Sequence, residues 1–457
     1  MNTTLTTAFS IALLLMLVNP QVGMGSQSNT ITVGPDGADV IGSDNRAIQI
    51  AVDAVAQRGG GTVKVLPGEY TLHNAIHMRS NVHLKGAGRE LTVLKQAPPV
   101  VNRLLKDADR GQKQVTPEDP SLFEVGMGIT ARIRDESWEG SWRSWNVHRP
   151  LYITRIEDGI LYLNDYIERD VIADLDSWGR GGYDGYIANI FPMIYAYEVE
   201  NITIEGLTVD ARREDFPEWD GARCAAVYLG RTMDSTVRDI KAVHASGDGI
   251  FIDESLRVLV EECELAHNTF HGFHPGSHSA YTTLRRSRLH HNGSDGLYIC
   301  WGIHDSEFTD NVIHHNGIRP ESKRNGISIG HKDTDNLIAG NHIFENAVSG
   351  IHFRTKTEAN GAHRNTISGN IIENNGLPDH SDIGYGVYIN GITHGLVFEG
   401  NVIRETRQGK ARLQHHAFHI EPDVARFRIV DNEIGDHPGE TIVNESACTE
   451  SVVQALE

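Results

Sequence analysis

Cysteine is scarce: Cys224, Cys263, Cys300 and Cys448 are the only four in 457 residues. Their spacing matches no zinc pattern, and four are too few to frame so long a chain with disulfides. Each therefore reads as a small buried side chain. Proline is sparse as well, 15 residues against 46 glycines, a balance that suits tight turns between short strands rather than linkers. Basic charge is in deficit, with 41 Lys and Arg facing 61 Asp and Glu; the net −20 argues against a general nucleic-acid binder. An anionic ligand would need a locally basic site. Long apolar runs are missing too. Phe9–Val18 is too short to span a bilayer and suits the core of a signal peptide, with small residues at Gly23-Met24-Gly25 for cleavage. The expectation is a secreted or periplasmic protein with no integral membrane segment once residues 1–25 are removed. With 39% hydrophobic and 22% charged residues, the remainder is globular.

What the chain has in abundance is repetition. One short strand recurs as Asp248-Gly-Ile-Phe-Ile-Asp253, His271-Gly-Phe-His-Pro275, Asp295-Gly-Leu-Tyr-Ile-Cys300 and Asn325-Gly-Ile-Ser-Ile-Gly330. It continues as Ser349-Gly-Ile-His-Phe-Arg354, Tyr385-Gly-Val-Tyr-Ile-Asn390 and His416-Ala-Phe-His-Ile-Glu421. The steps from Gly249 are 23, 24, 30, 24, 36 and 31 residues. Between these strands a second pattern aligns Asn311, Asn341, Asn370, Asn401 and Asn432, with Cys263 and Ser287 in the same column. A strand-like period near 24 residues means a solenoid whose turns pair with their neighbours, and the asparagines would stack at a turn. Leucine-rich repeats are excluded because the leucines they demand are absent. The fold class is all-β, a right-handed parallel β-helix.

Asn45–Asp53, Gly59–Tyr70 and Asn81–Gly88 resemble the start of pectate-lyase-like (pectin-lyase-superfamily) β-helix proteins, and with the later rungs the resemblance covers roughly residues 31–100 and 185–445. Local rules agree: Ser43 or Asp44 can cap a helix with the apolar face Ile48, Ala51, Val52 and Val55, ended by Gly59–Gly61, which would cover the open end of the barrel. The superfamily includes polysaccharide lyases, glycoside hydrolases, uronan epimerases and non-catalytic surface proteins. Residues 101–184 break the rhythm and read as a small inserted β-rich module, leaving 26–100 as cap and first rungs, 185–445 as the main helix and 446–457 as a tail.

Alternation in the glycine strands sets what faces outward. One outward column is Tyr228, Phe251, His274, Tyr298, Ser328, His352, Tyr388 and His419. The next is Gly230, Asp253, Gly276, Cys300, Gly330, Arg354, Asn390 and Glu421. Glu254, His278, His331, Lys332 and Lys356 follow in the turn. Rings, imidazoles and cations gathered beside small residues mark a functional groove. The longer steps place Arg319, Lys323, Arg324, Arg407, Lys410 and Arg412 along one corner of it. His290, His291, His314 and His315 sit at the asparagine turns and read as turn fillers. No histidine triplet has a spacing that compels a metal.

Elimination at a uronate needs a cation or Ca²⁺ on the carboxylate, a base at the adjacent carbon and an acid for the leaving oxygen. Lys332 and Arg354 lie one rung apart, similar to the Lys/Arg pair of the superfamily's uronan lyases. The expected catalytic set is Tyr298, His331, Lys332, His352 and Arg354, with Lys332 as base. His274, Asp253, Glu254, Lys356, Tyr388 and Arg324 are expected to bind the polysaccharide or oligosaccharide substrate. The leading expectation is a polysaccharide lyase acting on a uronic-acid polymer, with calcium as a candidate cofactor. Hydrolysis by paired carboxylates such as Asp248, Asp253, Glu254 and Asp295 ranks second, and a non-catalytic glycan-binding protein is the competing class. Gly272-Phe-His-Pro-Gly-Ser-His278 is also similar to the Gly-φ-Asp-Pro-His segment of alginate C5-epimerases. His274 there replaces the Asp and Gly276 the His, so that activity is not carried over.

Overall fold

The computed structural model describes residues 29–133, 150–168, 170–174, 185–212, 224–319, 324–378 and 383–456. The segment read as a signal peptide lies outside them, as do Trp138, Trp142, Trp145, Trp178 and Lys323. The glycine-led strands stack as one 11-stranded parallel sheet, running from Ile76–His77 through Phe273–Gly276 and Leu297–Tyr298 to Ile442–Asn444. A 22-stranded sheet supplies the other faces of the coil. A typical rung is Phe273–Gly276, Thr283–Arg285 and Arg288–His290, each pairing with its counterpart in the next rung. The result is the parallel β-helix that the repeats demand.

Each glycine strand sends alternate residues inward. Ile250, Ile252, Phe273, Leu297, Ile299, Ile327, Ile329, Ile351 and Phe353 are all buried in one continuous core. Burying a side chain of this size contributes about 1.5–3 kcal/mol, so the stack gains on every rung. At the corners, buried amides hold the rungs in register. Oδ1 of Asn341 accepts both the backbone N–H (2.9 Å) and the side-chain N–H (2.9 Å) of Asn311. Asn341 bonds Asn370 in the same way, Asn370 bonds Asn401, and Asn401 bonds Asn432. Cys263 and Ser287 continue the column, with the Cys263 N–H donating to Ser287 Oγ (3.1 Å) and the Ser287 N–H to Asn311 Oδ1 (3.0 Å).

Helix α1 (Asn45–Gln57) begins at Asp44, whose carboxylate accepts the Ala47 N–H at 3.0 Å. Its buried face is the expected Ile48, Ala51, Val52 and Val55, packed on the first-rung strands Thr30–Gly34 and Gly61–Val65. Between residues 101 and 188 a separate six-stranded sheet forms around Leu104, Ile129, Ile153, Leu161 and Ile187. It is tied to the helix where the Gly128 N–H donates to the His73 carbonyl (2.8 Å) and where Tyr152 lies edge-on to His77 (6.5 Å between centroids). Near the C-terminus, Val452–Leu456 forms a strand paired with Arg428–Ile434.

Candidate active site

Strand pairing sets out the ring column rung by rung: His77, Tyr195, Tyr228, Phe251 and His274, then Tyr298, Ser328, His352, Tyr388 and His419. These outward residues are not all exposed. Tyr228, Phe251 and Ser328 are buried against their neighbours, while His274, Tyr298, His352 and Tyr388 are half-buried. Outward from the barrel here means into a packed groove floor.

Beside this column runs a ladder of the residues that precede each strand glycine. Asp248 Oδ1 accepts the His271 N–H (2.9 Å), and His271 Nδ1 accepts the Asp295 N–H (3.2 Å). Asp295 Oδ1 accepts the Asn325 N–H (2.9 Å), and Asn325 Oδ1 accepts the Ser349 N–H (3.2 Å). The ladder leaves each side chain's second polar atom for other work. Asp248 Oδ2 takes the His274 Nδ1–H at 2.8 Å. Asp295 Oδ2 has no hydrogen-bond partner. With its Nδ1 occupied as an acceptor, neutral His271 carries its proton on Nε2.

Three rings close around this point. His271 stacks on Tyr298 at 4.1 Å, and His274 meets Tyr298 edge-on at 4.9 Å. Burial alone would keep His274 neutral, but the Asp248 carboxylate, helped by Cys300, lifts it to about 9. Burial holds His271 far below the usual imidazole range, and it raises the Tyr298 phenol so that it keeps its proton. Cys300 lies 3.1 Å from His331 Nδ1. Burial favours its thiol form, yet His274, His331 and Arg354 hold it well below the ordinary thiol range.

Arg354 spans two rungs. Its Nη2 donates to the Ile299 carbonyl (2.7 Å) and approaches Asp333 Oδ2 (3.7 Å), and its guanidinium lies 4.2 Å above the Tyr298 ring. Asp333 is itself held by the backbone N–H groups of Gly302, Ile303 and Gly330. Nε and Nη1 of Arg354 are buried with no hydrogen-bond partner, and so is Nε2 of neighbouring His352. Burial lowers His352 to about 4, so it stays neutral, and its ring stacks on Tyr388 at 5.1 Å. Unpaired buried donors are costly, and a cluster of them beside a charged guanidinium is arranged for an incoming oxyanion. Space for Arg354 comes from Gly330, where a Cβ would stand 3.2 Å from both Cβ and Nε of the arginine.

Of the expected catalytic residues, the structure brings Tyr298, Arg354, His331 and His352 together with His274. Lys332, next to His331, is exposed, in a left-handed turn (φ 66°) after the strand. Lys356 lies closer in character, half-buried, with burial and Arg354 lowering its ammonium below the usual range. Asp253 accepts the Tyr228 hydroxyl at 3.2 Å. Glu254 pairs with Arg231 at the surface, Tyr388 donates to Glu421 (2.7 Å), and Arg324 is exposed at the groove edge. The corner cations Arg407 and Arg412 are engaged by Glu405 and Asp436. Sequence reasoning missed Asp248, His271, Asp295, Asp333 and Cys300 as members of one cluster. The repeated position before each strand glycine was the available signal for the first three. Trp301, 53% exposed at φ 78° and 5.1 Å from His331, offers a flat apolar surface at the rim.

The side-chain clusters with three or more close potential ligands among the described residues are His267/His290/His291, Asp248/His271/His274 and Glu358/His363/His394. All contain histidine, whereas calcium is bound through oxygen, so these clusters do not fit that ion.

The architecture is that of a right-handed parallel β-helix, with a groove along its glycine-strand sheet. A family model described as "Right handed beta helix region" matches residues 225–403. The chain is 23% identical over 301 residues to Mannuronan C5-epimerase AlgE1 of Azotobacter vinelandii, covering 64% of this chain and 17% of that protein. Over a shorter stretch of 64 residues it is 44% identical to Mannuronan C5-epimerase AlgE6 of the same organism, covering 12% of this chain and 7% of that protein. In fold it is similar to the solved A-module of the A. vinelandii AlgE6 epimerase, with TM-score 0.55 and 17% identity over 90% of this chain and 95% of that one. The chain thus spans less than a quarter of the length of the curated relatives it matches.

Proposed function

We propose that the protein is a carbohydrate-active enzyme that removes the C5 proton of a uronate residue in an alginate-like polysaccharide. The observation that carries this reading is the buried Arg354 guanidinium, whose unpartnered Nε and Nη1 adjoin the His274–Tyr298 pair. Arg354 would bind the uronate carboxylate and stabilise the charge that develops on it when the neighbouring C–H bond breaks. His274, oriented through Nδ1 by Asp248, is assigned as the proton acceptor through Nε2. Tyr298, kept protonated, is assigned as the donor.

His274 and Tyr298 rise from adjacent rungs of one sheet and would reach a sugar from the same side. That arrangement favours β-elimination from a residue whose C5 hydrogen and C4 oxygen share a face: the proton goes to His274, the electron pair forms the C4–C5 double bond, and the leaving oxygen takes the Tyr298 proton. A second reading, epimerisation, begins with the same proton transfer and is supported by the names of the curated relatives. It needs a proton returned to the opposite face.

Incubating the protein with mannuronate- and guluronate-rich alginates and other uronans in deuterated water tests both. Ultraviolet absorbance of an unsaturated uronate reports elimination. Deuterium at C5 with inverted stereochemistry, and no chain cleavage, reports epimerisation. Binding with neither product refutes the enzyme reading in favour of a glycan-binding protein, and new reducing ends without unsaturation assign hydrolysis. Arg354→Lys should cost about 10²-fold or more in kcat/KM on the identified substrate, because a single ammonium cannot replace the two guanidinium N–H groups.

A further inference from the structure

At the corner where the buried amides of Asn268, Asn292 and Asn316 follow one another, the residue just before each is a histidine: His267, His291 and His315. With His244 they occupy a left-handed turn position, at φ between 53° and 57°. The asparagine faces in and fixes the turn, and the histidine before it is held outside. His290 and His314, ending the preceding strands, bring a second imidazole to the same corner.

These rings do more than fill a turn. Nδ1 of His290 lies 2.9 Å from Nδ1 of His291, and the same 2.9 Å separates His314 from His315 in the next rung. The pairs stack face to face, His290 on His314 and His291 on His315, each at 5.0 Å. His267 stacks on His291 at 5.2 Å from the rung before. Without an ion each pair is a hydrogen bond in which one Nδ1–H donates to the other Nδ1, so a metal would displace that one proton and take both lone pairs. Other rungs use Glu345 and Asn374 at this turn position without a second ring nitrogen.

We propose that His267, His290 and His291 form a binding site for a borderline divalent transition-metal ion such as Zn²⁺, Ni²⁺ or Cu²⁺. Nitrogens of all three lie within 4.8 Å of one another. Metal–imidazole bonds of about 2.0–2.1 Å place neighbouring ligand atoms roughly 3–3.4 Å apart. The His290–His291 nitrogens, 2.9 Å apart, need to open by only a few tenths of an ångström to reach this bite, and exposed His267 closes on it by rotating its side chain. Glu264 Oε1 sits 3.7 Å from His290 Nε2, the opposite nitrogen, where a carboxylate orients a histidine ligand. Imidazole ligands suit these ions rather than calcium or magnesium. The bound ion would link two consecutive rungs at the corner that leads into the glycine strands, through residues with no assigned part in the reaction proposed for the groove.

The test uses the tag-free, chelator-treated protein and titrates Zn²⁺ by calorimetry and Co²⁺ by its visible absorption. Saturable binding near one ion per chain is expected at micromolar metal, with a melting temperature raised by several degrees at about 100 Kd. His290→Gln/His291→Asn should weaken binding at least tenfold and abolish the tetrahedral Co²⁺ bands, while its melting temperature in chelator stays near the wild-type value. His363→Gln, in a different cluster, should bind as wild type. If the double variant fails to fold, His267→Gln on the exposed side carries the same expectation. Wild-type protein that binds no ion, or variants that bind as tightly as wild type, would overturn the proposal.

Discussion

Asp248 and His274 lie 26 positions apart in the chain and one rung apart in the helix, and they share a 2.8 Å hydrogen bond between Oδ2 and Nδ1. The carboxylate is fully buried and the imidazole keeps 12% of its surface exposed to the groove. One residue therefore sets both the orientation and the proton affinity of the other, and three of the following predictions concern the groove they help to form.

Because Asp248 lifts His274 to about 9, a base role for that imidazole makes turnover rise with pH up to about 9. Asp248→Asn should move the inflection toward the ordinary imidazole range and lower the plateau by roughly 10²-fold or more. Stability should run the other way. The folded-state value lies above the unfolded value of 6.5, so this pair's contribution is complete below pH 6.5 and is lost as pH rises through about 9. Rate and melting temperature followed across this window should diverge in the wild type and not in the variant. A rate that falls toward pH 9 would assign His274 as an acid instead.

Gly330 leaves the volume that Arg354 occupies. In Gly330→Ala the new Cβ would lie 3.2 Å from Arg354 Cβ and Nε, forcing the guanidinium to shift. KM on the identified substrate should rise roughly tenfold, equivalent to about 1.4 kcal/mol, with the circular dichroism spectrum unchanged. An unaltered KM would mean that Arg354 does not hold the substrate carboxylate.

Lys332 offers a contrast. Its exposed side chain makes it a rim charge, and such charges act on encounter more than on chemistry. Lys332→Ala should change kcat by less than about threefold, while making KM less sensitive to salt. A loss of orders of magnitude in kcat would restore Lys332 as the base.

Asn341 accepts two N–H groups from Asn311 and donates to the Phe308 carbonyl and Asn370. Asn341→Ala leaves several of these buried groups unpaired and should destabilise the protein by roughly 2–4 kcal/mol. Denaturant unfolding measures the loss. Activity per folded molecule should be nearly unchanged, since the amide lies outside the groove.

Much of this was legible in the chain. Two-residue alternation in strands such as Asn325–Gly330 assigned Tyr298, Ser328 and His352 to one column, and the strand pairs place them side by side. Asp248 and Asp295 stand out in the sequence only as a second-ranked carboxylate pair, because they precede a strand glycine, where aspartate ordinarily shapes a turn. Alternation says nothing about where a corner side chain points. Cys300 was read as a small buried residue, and it is buried at 3% exposure. Its charged surroundings come from His274, His331 and Arg354; the column places Arg354 and His331 near it, but alternation does not say that the thiol meets an imidazole nitrogen. Periodicity gives Lys332 a position one rung from Arg354, but not that its side chain is exposed at a left-handed turn.

The uneven steps between the glycine strands have a further meaning. Thirty residues separate Gly296 from Gly326 and thirty-six separate Gly350 from Gly386, yet Tyr298 still faces Ser328 and His352 still faces Tyr388. The vertical spacing of the reacting groups belongs to the hydrogen-bond ladder alone, and chain length between rungs is spent sideways. A lineage with this scaffold can therefore lengthen or trim its corner loops, reshaping which polymers enter, without disturbing the alignment of the groups that act on them.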